Sequence, residues 1–140
     1  MEFLIASDHR GFSLKERLAQ FLNDEGHVVQ DLGPYDLTSA DYPDYAHLLA
    51  KKLRDEQVGV LICGSGIGMS IAANRHRNIR AALCRSIKDI YLSRKHNNAN
   101  VLVLGSDETD YDHAKEMVDE FIKSSFDKGR HETRVNKINI

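Results

Sequence analysis

This 140-residue chain has few cysteines, no histidine pair at metal-ligand spacing and no membrane-length apolar run. Each absence excludes something. Seven histidines contain no H-x-x-x-H spacing, so no metal site is expected. Two cysteines, Cys63 and Cys84, are too few for a disulfide framework. A reducing, cytoplasmic compartment is expected, with a single bridge between the two thiols as the alternative. No apolar run approaches the ~20 residues of a membrane span. The strand-like opening "EFLIAS" carries no basic region and no cleavage signal, so no targeting segment is expected. A net charge of −2 and 7% aromatics argue against a nucleic-acid face, although Arg75, Arg77 and Arg80 lie close together. Hairpin signals, internal repeats, low-complexity stretches and a second-domain linker are also missing. What remains, 41% hydrophobic and 29% charged, is the composition of one ordinary globular domain spanning 1–140.

Short apolar runs alternate with helical patterns. Residues 3–6, 27–32, 58–62, 79–84 and 100–104 read as strands. Helices are predicted where Leu14, Leu18, Phe21 and Leu22 repeat at helical spacing, after Pro43, over 66–76, from about Ile87, and through Ala114, Met117, Val118, Phe121 and Ile122. Gly26 stops the first helix, and Gly33, Pro34 and Pro43 punctuate a loop. Five strands alternating with helices predict a three-layer α/β/α fold with a five-stranded parallel sheet, Rossmann-like. The segment 127–140 stands apart: it is polar and basic, and its apolar points Val135, Ile138 and Ile140 are too scattered to add much to its own core.

"CGSGIG", residues 63–68, falls at the carboxyl end of the third predicted strand. Ligands of open parallel sheets bind there. Glycines at 64, 66 and 68 fit neither the dinucleotide fingerprint, whose third glycine would fall at Met69, nor the phosphate loop, which needs a following Lys-Ser/Thr pair. Two readings stay open: a tight strand–helix turn, or a nest of backbone N–H groups for an anion. Cys63, ahead of a helix N-terminus, is either a reactive thiol or a small buried hydrophobe; Cys84 in "RAALC" reads as core filler. Asp8 and His9 end the first strand and could face Cys63 if strands one and three are neighbours. His96 and Asn97 precede strand five, which on simple topology puts them at its amino end, unless the preceding helix brings its C-terminus round. Arg130 and Arg134 share one helical face beside His131, a set suited to phosphate or carboxylate, or simply a solvated basic end.

Five motifs in order, "SDHRG" (7–11), "DYPDYA" (41–46), "CGSGIGMSIAANR" (63–75), "HNNANVL" (96–102) and "GRHETRV" (129–135), resemble the type B ribose-5-phosphate isomerases and the related galactose-6-phosphate isomerase subunits. The resemblance runs nearly end to end. It implies an aldose–ketose isomerase of ribose 5-phosphate and ribulose 5-phosphate, in the pentose phosphate pathway, with no metal and no cofactor. It implies that Cys63 shuttles the proton, that Ser65 assists at the substrate oxygens and that His96 opens the sugar ring. Gly64, Gly66, Ile67 and Gly68 would hold the enediolate oxygen. Asp8, His9, Tyr42 and Asn97 would contact sugar hydroxyls. Arg130, His131 and Arg134 would bind phosphate from the neighbouring subunit of a homodimer with shared active sites, or of a tetramer. That would give the tail 127–140 its place, docked on a partner. Where many members carry an arginine after "VLVLGS", this chain has Asp107 and then Glu108, which bears on phosphate affinity or on the choice of sugar. The alternatives are an isomerase of allose 6-phosphate or galactose 6-phosphate, and a non-catalytic phosphosugar-binding module.

Overall fold

A computed structural model describes residues 1–140. The apolar runs form β1 (Glu2–Ser7), β2 (Val28–Asp31), β3 (Val58–Cys63), β4 (Ala81–Leu83) and β5 (Val101–Gly105). Between and after them lie α1 (Phe12–Asp24), α2 (Tyr42–Lys52), α3 (Ile67–Ala73), α4 (Ile87–Asn97), α5 (Tyr111–Lys123) and α6 (Arg130–Val135). All strand pairings are parallel, in the order β2-β1-β3-β5-β4. Parallel strands covered on both sides bury every residue, and the six of β3 are all buried.

Alternate strand residues feed two cores. Phe3, Ile5, Val60, Ile62, Leu102 and Leu104 pack against α1, α4 and α5. Leu4, Ala6, Leu61, Cys63, Val101 and Val103 pack against α2 and α3. The predicted three-layer α/β/α sheet is thus the observed fold. No helix is long and apolar enough to cross a membrane. Both cysteines are free and buried, which removes the alternative of a bridge.

Two elements are shorter than periodicity predicts. The helix expected over 66–76 stops at Ala73 because the Asn74 side chain turns out and clasps residue 81: its Oδ1 accepts from Ala81 N at 2.8 Å and its Nδ2 donates to Ala81 O at 2.9 Å. The same clasp marks the start of β4, so the strand expected over 79–84 is only Ala81–Leu83.

The chain leaves β1 toward one edge of the sheet and leaves β3 toward the other. A crevice therefore opens beyond their carboxyl ends, where ligands of such sheets sit. Register makes those ends level, with Ser7 beside Ile62 and Cys63 beside Gly105.

Candidate active site

The first group of predicted site residues assembles at this crevice. Cys63 ends β3 at 5% exposure, and Gly66 N–H donates to its Sγ at 3.1 Å. Ser65 Oγ accepts from Ile67 N at 3.2 Å just ahead of α3, with its own proton still free to donate. The N–H groups of Gly64, Ser65 and Gly68 find no acceptor within the chain. Three unpaired backbone donors around a buried thiol form a ready site for an oxyanion.

Each glycine of the turn answers a different steric demand. At Gly64 a Cβ would lie 2.8 Å from the Arg10 guanidinium carbon. At Gly68 it would lie 2.4 Å from the Tyr42 ring, which α2 lays across this turn. Gly66 alone has positive φ, 78°, and a Cβ there would meet Leu83 at 2.5 Å and the Leu104 carbonyl carbon at 3.1 Å. Ile67, 48% exposed, presents its side chain outward at the start of α3.

Asp8 and His9 stand beside this turn because β1 and β3 are neighbours. Asp8 is buried, and its Oδ1 accepts from the N–H groups of Arg10 at 2.9 Å and Gly11 at 3.0 Å. One carboxylate oxygen thus holds the turn into α1, and the other is left for a ligand. His9 Nδ1 lies 3.1 Å from Ala40 N and 3.3 Å from Ala40 O, which leaves Nε2 as the ring's unengaged nitrogen.

The second group lies elsewhere. Helix α4 starts at the carboxyl edge of the sheet and runs back to the amino edge, about 16 Å for eleven residues. His96 and Asn97 are at its far end. The His96 ring stacks on His131 of α6, with centroids 4.1 Å apart and planes 8° from parallel. The tail is fastened there too. Asp127 N–H donates to Lys95 O at 3.0 Å, and Lys95 Nζ meets Asp127 Oδ1 at 3.0 Å. The simple topological reading of His96 therefore holds within one chain, and the idea that α4 curls round to the nest does not. Partial loss of water against the stacked ring and the neighbouring His96, Arg130 and Arg134 hold the His131 imidazole below its ordinary pKa. No residue of α6 is buried. A cavity of about 550 Å³ is also at this end, lined by Asn97, Arg75, Arg77, Arg80 and the segment Ile138–Ile140.

Arg10 escaped the sequence reading. It pairs with Asp107, which the sequence had shown only as an acid after strand five. Nothing in the local pattern links two residues 97 apart.

Comparison with known proteins gives these features a family. A profile described as Ribose/Galactose Isomerase matches residues 3–138. The ribose-5-phosphate isomerase B of Escherichia coli is 41% identical over 133 residues, covering 94% of this chain and 89% of that one. The structure of ribose 5-phosphate isomerase B from Anaplasma phagocytophilum superposes with a TM-score of 0.95 at 48% identity, covering 99% of this chain and 96% of that one. The enzyme from Mycoplasma genitalium, with ribulose-5-phosphate bound, gives 0.94 at 42% identity, covering 98% and 93%. Matched by the family profile over residues 3–138 and by these relatives along nearly its whole length, this chain belongs to the ribose/galactose isomerase family.

Proposed function

We propose that this protein interconverts ribose 5-phosphate and ribulose 5-phosphate through an enediolate. The observation that carries this is the buried Cys63, whose Sγ accepts from Gly66 N–H beside three unpaired backbone donors. In the open-chain aldose the carbonyl is at C1 and the labile proton at C2. Cys63, as thiolate, takes the C2 proton, and the electron pair moves into a C1–C2 double bond as charge reaches O1. The N–H groups of Gly64, Ser65 and Gly68 meet that oxyanion, as such donors do in other acyl and enolate chemistry. The thiol returns the proton to C1 while the Ser65 hydroxyl assists the proton moving between O2 and O1. Neither metal nor cofactor takes part. Asp8 Oδ2, His9 Nε2 and the Tyr42 hydroxyl are the sugar-hydroxyl contacts.

Ring opening falls to His96, a further sugar-hydroxyl contact to Asn97, and phosphate binding to Arg130, His131 and Arg134, all brought to each nest by a second copy of the chain. The support is internal. These five residues travel as one unit through the His96–His131 stack, and within one chain that unit lies at the opposite edge of the sheet from Cys63. The reading is therefore a cytoplasmic homodimer with two shared sites, the tail 127–140 reaching across.

A coupled assay tests the reaction. Ribose 5-phosphate should be isomerised with a higher kcat/KM than allose 6-phosphate or galactose 6-phosphate. Faster turnover of a six-carbon substrate would move the protein to that branch of the family, a reading the Asp107 carboxylate at the crevice keeps in play. Binding without turnover of any of the three would make it a phosphosugar-binding module.

A further inference from the structure

Arg10 is held more firmly than an exposed arginine requires. Its N–H donates to Asp8 Oδ1 at 2.9 Å. Its carbonyl accepts from Ser106 Oγ at 3.0 Å, and the same hydroxyl lies 3.2 Å from Cys63 O. Its guanidinium covers the bare face of Gly64, where any Cβ would lie 2.8 Å from Cζ and from Nη1. Nη2 pairs with Asp107, whose own N–H donates to Gly64 O at 3.0 Å. Asp8, Arg10, Gly64 and Asp107 therefore close a ring around the mouth of the crevice.

Stability does not account for this arrangement. The two side chains are 56% and 44% exposed, and exposed ion pairs contribute little. The side chain has five N–H donors, and the pair with Asp107 is its one hydrogen bond. A half-exposed guanidinium with spare donors, flat against a backbone that itself presents free N–H groups, matches the fork geometry of a phosphate monoester. Its place along the substrate also follows from the sheet. Cys63 points into the α2–α3 layer, whereas Arg10 comes from the turn into α1, in the opposite layer. The guanidinium is thus offset from the reacting carbons and suits the far end of the sugar.

We infer that Arg10 is a contact for the substrate's phosphate group, supplied by the same chain as Cys63, and that Asp107 is a carboxylate placeholder that occupies the guanidinium until phosphate displaces it. This rests on the sugar-phosphate reading above. Asp107 opposes anion binding by charge repulsion and by competing for Arg10.

The test measures binding separately from turnover. Ribose 5-phosphate, inorganic phosphate and unphosphorylated ribose are titrated calorimetrically into the inactive Cys63→Ala protein, with and without Arg10→Ala, Arg10→Lys or Asp107→Asn. Arg10→Ala should weaken ribose 5-phosphate by about tenfold or more, the loss of a charge-assisted contact, with Arg10→Lys between it and the parent. Inorganic phosphate should follow the same order. Asp107→Asn should tighten both phosphates several-fold, and ribose should be unaffected throughout. With Cys63 intact, Arg10→Ala should raise KM more than it lowers kcat. Unchanged ribose 5-phosphate affinity in Arg10→Ala overturns the inference, as does an equal loss for ribose, which would signal a distorted site. A parent that binds ribose 5-phosphate through Arg10 yet isomerises no sugar would instead overturn the enzymatic reading alone.

Discussion

The imidazoles of His96 and His131 stack with centroids 4.1 Å apart and planes 8° from parallel, tying the end of α4 to the tail helix α6. Whatever site one histidine serves, the other serves too, and so do Arg130 and Arg134 on the same short helix. Mixing experiments should show it. An inactive Cys63→Ala protein and an inactive Arg130→Ala/Arg134→Ala protein, allowed to exchange subunits, should regain part of the activity. In a mixed dimer one site then has an intact thiol from one chain and intact arginines from the other. Pairing Cys63→Ala with His96→Asn should give the same recovery. No recovery in either mixture would place all of these residues within one subunit's site.

The two thiols should differ sharply in reactivity. Burial pushes the Cys84 thiol up to about 11, so it stays protonated and unreactive near neutral pH. Iodoacetamide at pH 8 should label Cys63 first and abolish turnover in step with labelling. Cys63→Ala should lose isomerisation while keeping fold and assembly, and Cys84→Ala should keep most activity. Near-normal turnover in Cys63→Ala would remove the thiol from the mechanism.

His96→Asn should impair turnover of ring-closed ribose 5-phosphate more than that of an open-chain substrate, because ring opening is the step assigned to it. Comparing ribose 5-phosphate with the acyclic ketose in the reverse direction gives the ratio. Equal losses in both directions would assign His96 to a different step.

Alanine at the three glycines of the turn should separate stability from activity. Gly66→Ala places a Cβ at φ 78° and against Leu83 and Leu104, so melting should show a loss of roughly 1–3 kcal/mol as well as lost turnover. Gly64→Ala and Gly68→Ala meet side-chain atoms of Arg10 and Tyr42 that can swing away. They should melt near the parent temperature and lose substrate affinity. A Gly66→Ala protein as stable as the parent would contradict the strained conformation.

Acid should loosen the α2–α3 layer. His47 Nδ1 and His76 Nε2 share a hydrogen bond at 2.8 Å. Burial, then the neighbouring His47 and Lys51, lower the His76 pKa. Unfolding relieves that depression, so the unfolded chain binds the proton more readily. The pair's stabilisation is present above the ordinary histidine value of about 6.5 and is lost as pH falls through the lower folded value. Melting temperature should drop on acidification below pH 6.5, and less so in His76→Gln. An identical pH profile for that variant would remove His76 from the effect.

Much of this was legible in one dimension. A parallel strand buried on both faces must be a continuous apolar run, so "VGVLI" announced β3, and the glycines after it announced the ligand end of the sheet. Element ends were less legible where side chains set them: Asn74 ends α3 by bonding to Ala81, a partner no periodicity reveals.

The sequence by itself determined the fold class, the identity of Cys63 and its glycine turn, and the family, because burial patterns and ordered motifs are written locally along the chain. Tertiary structure decided the rest. Strand order put Asp8 and His9 beside the thiol, parallel connections sent His96 to the opposite edge of the sheet, and the turn into α1 laid Arg10 over Gly64 against Asp107. These are contacts between residues distant in sequence, and only the packing of strands and helices fixes which ends meet.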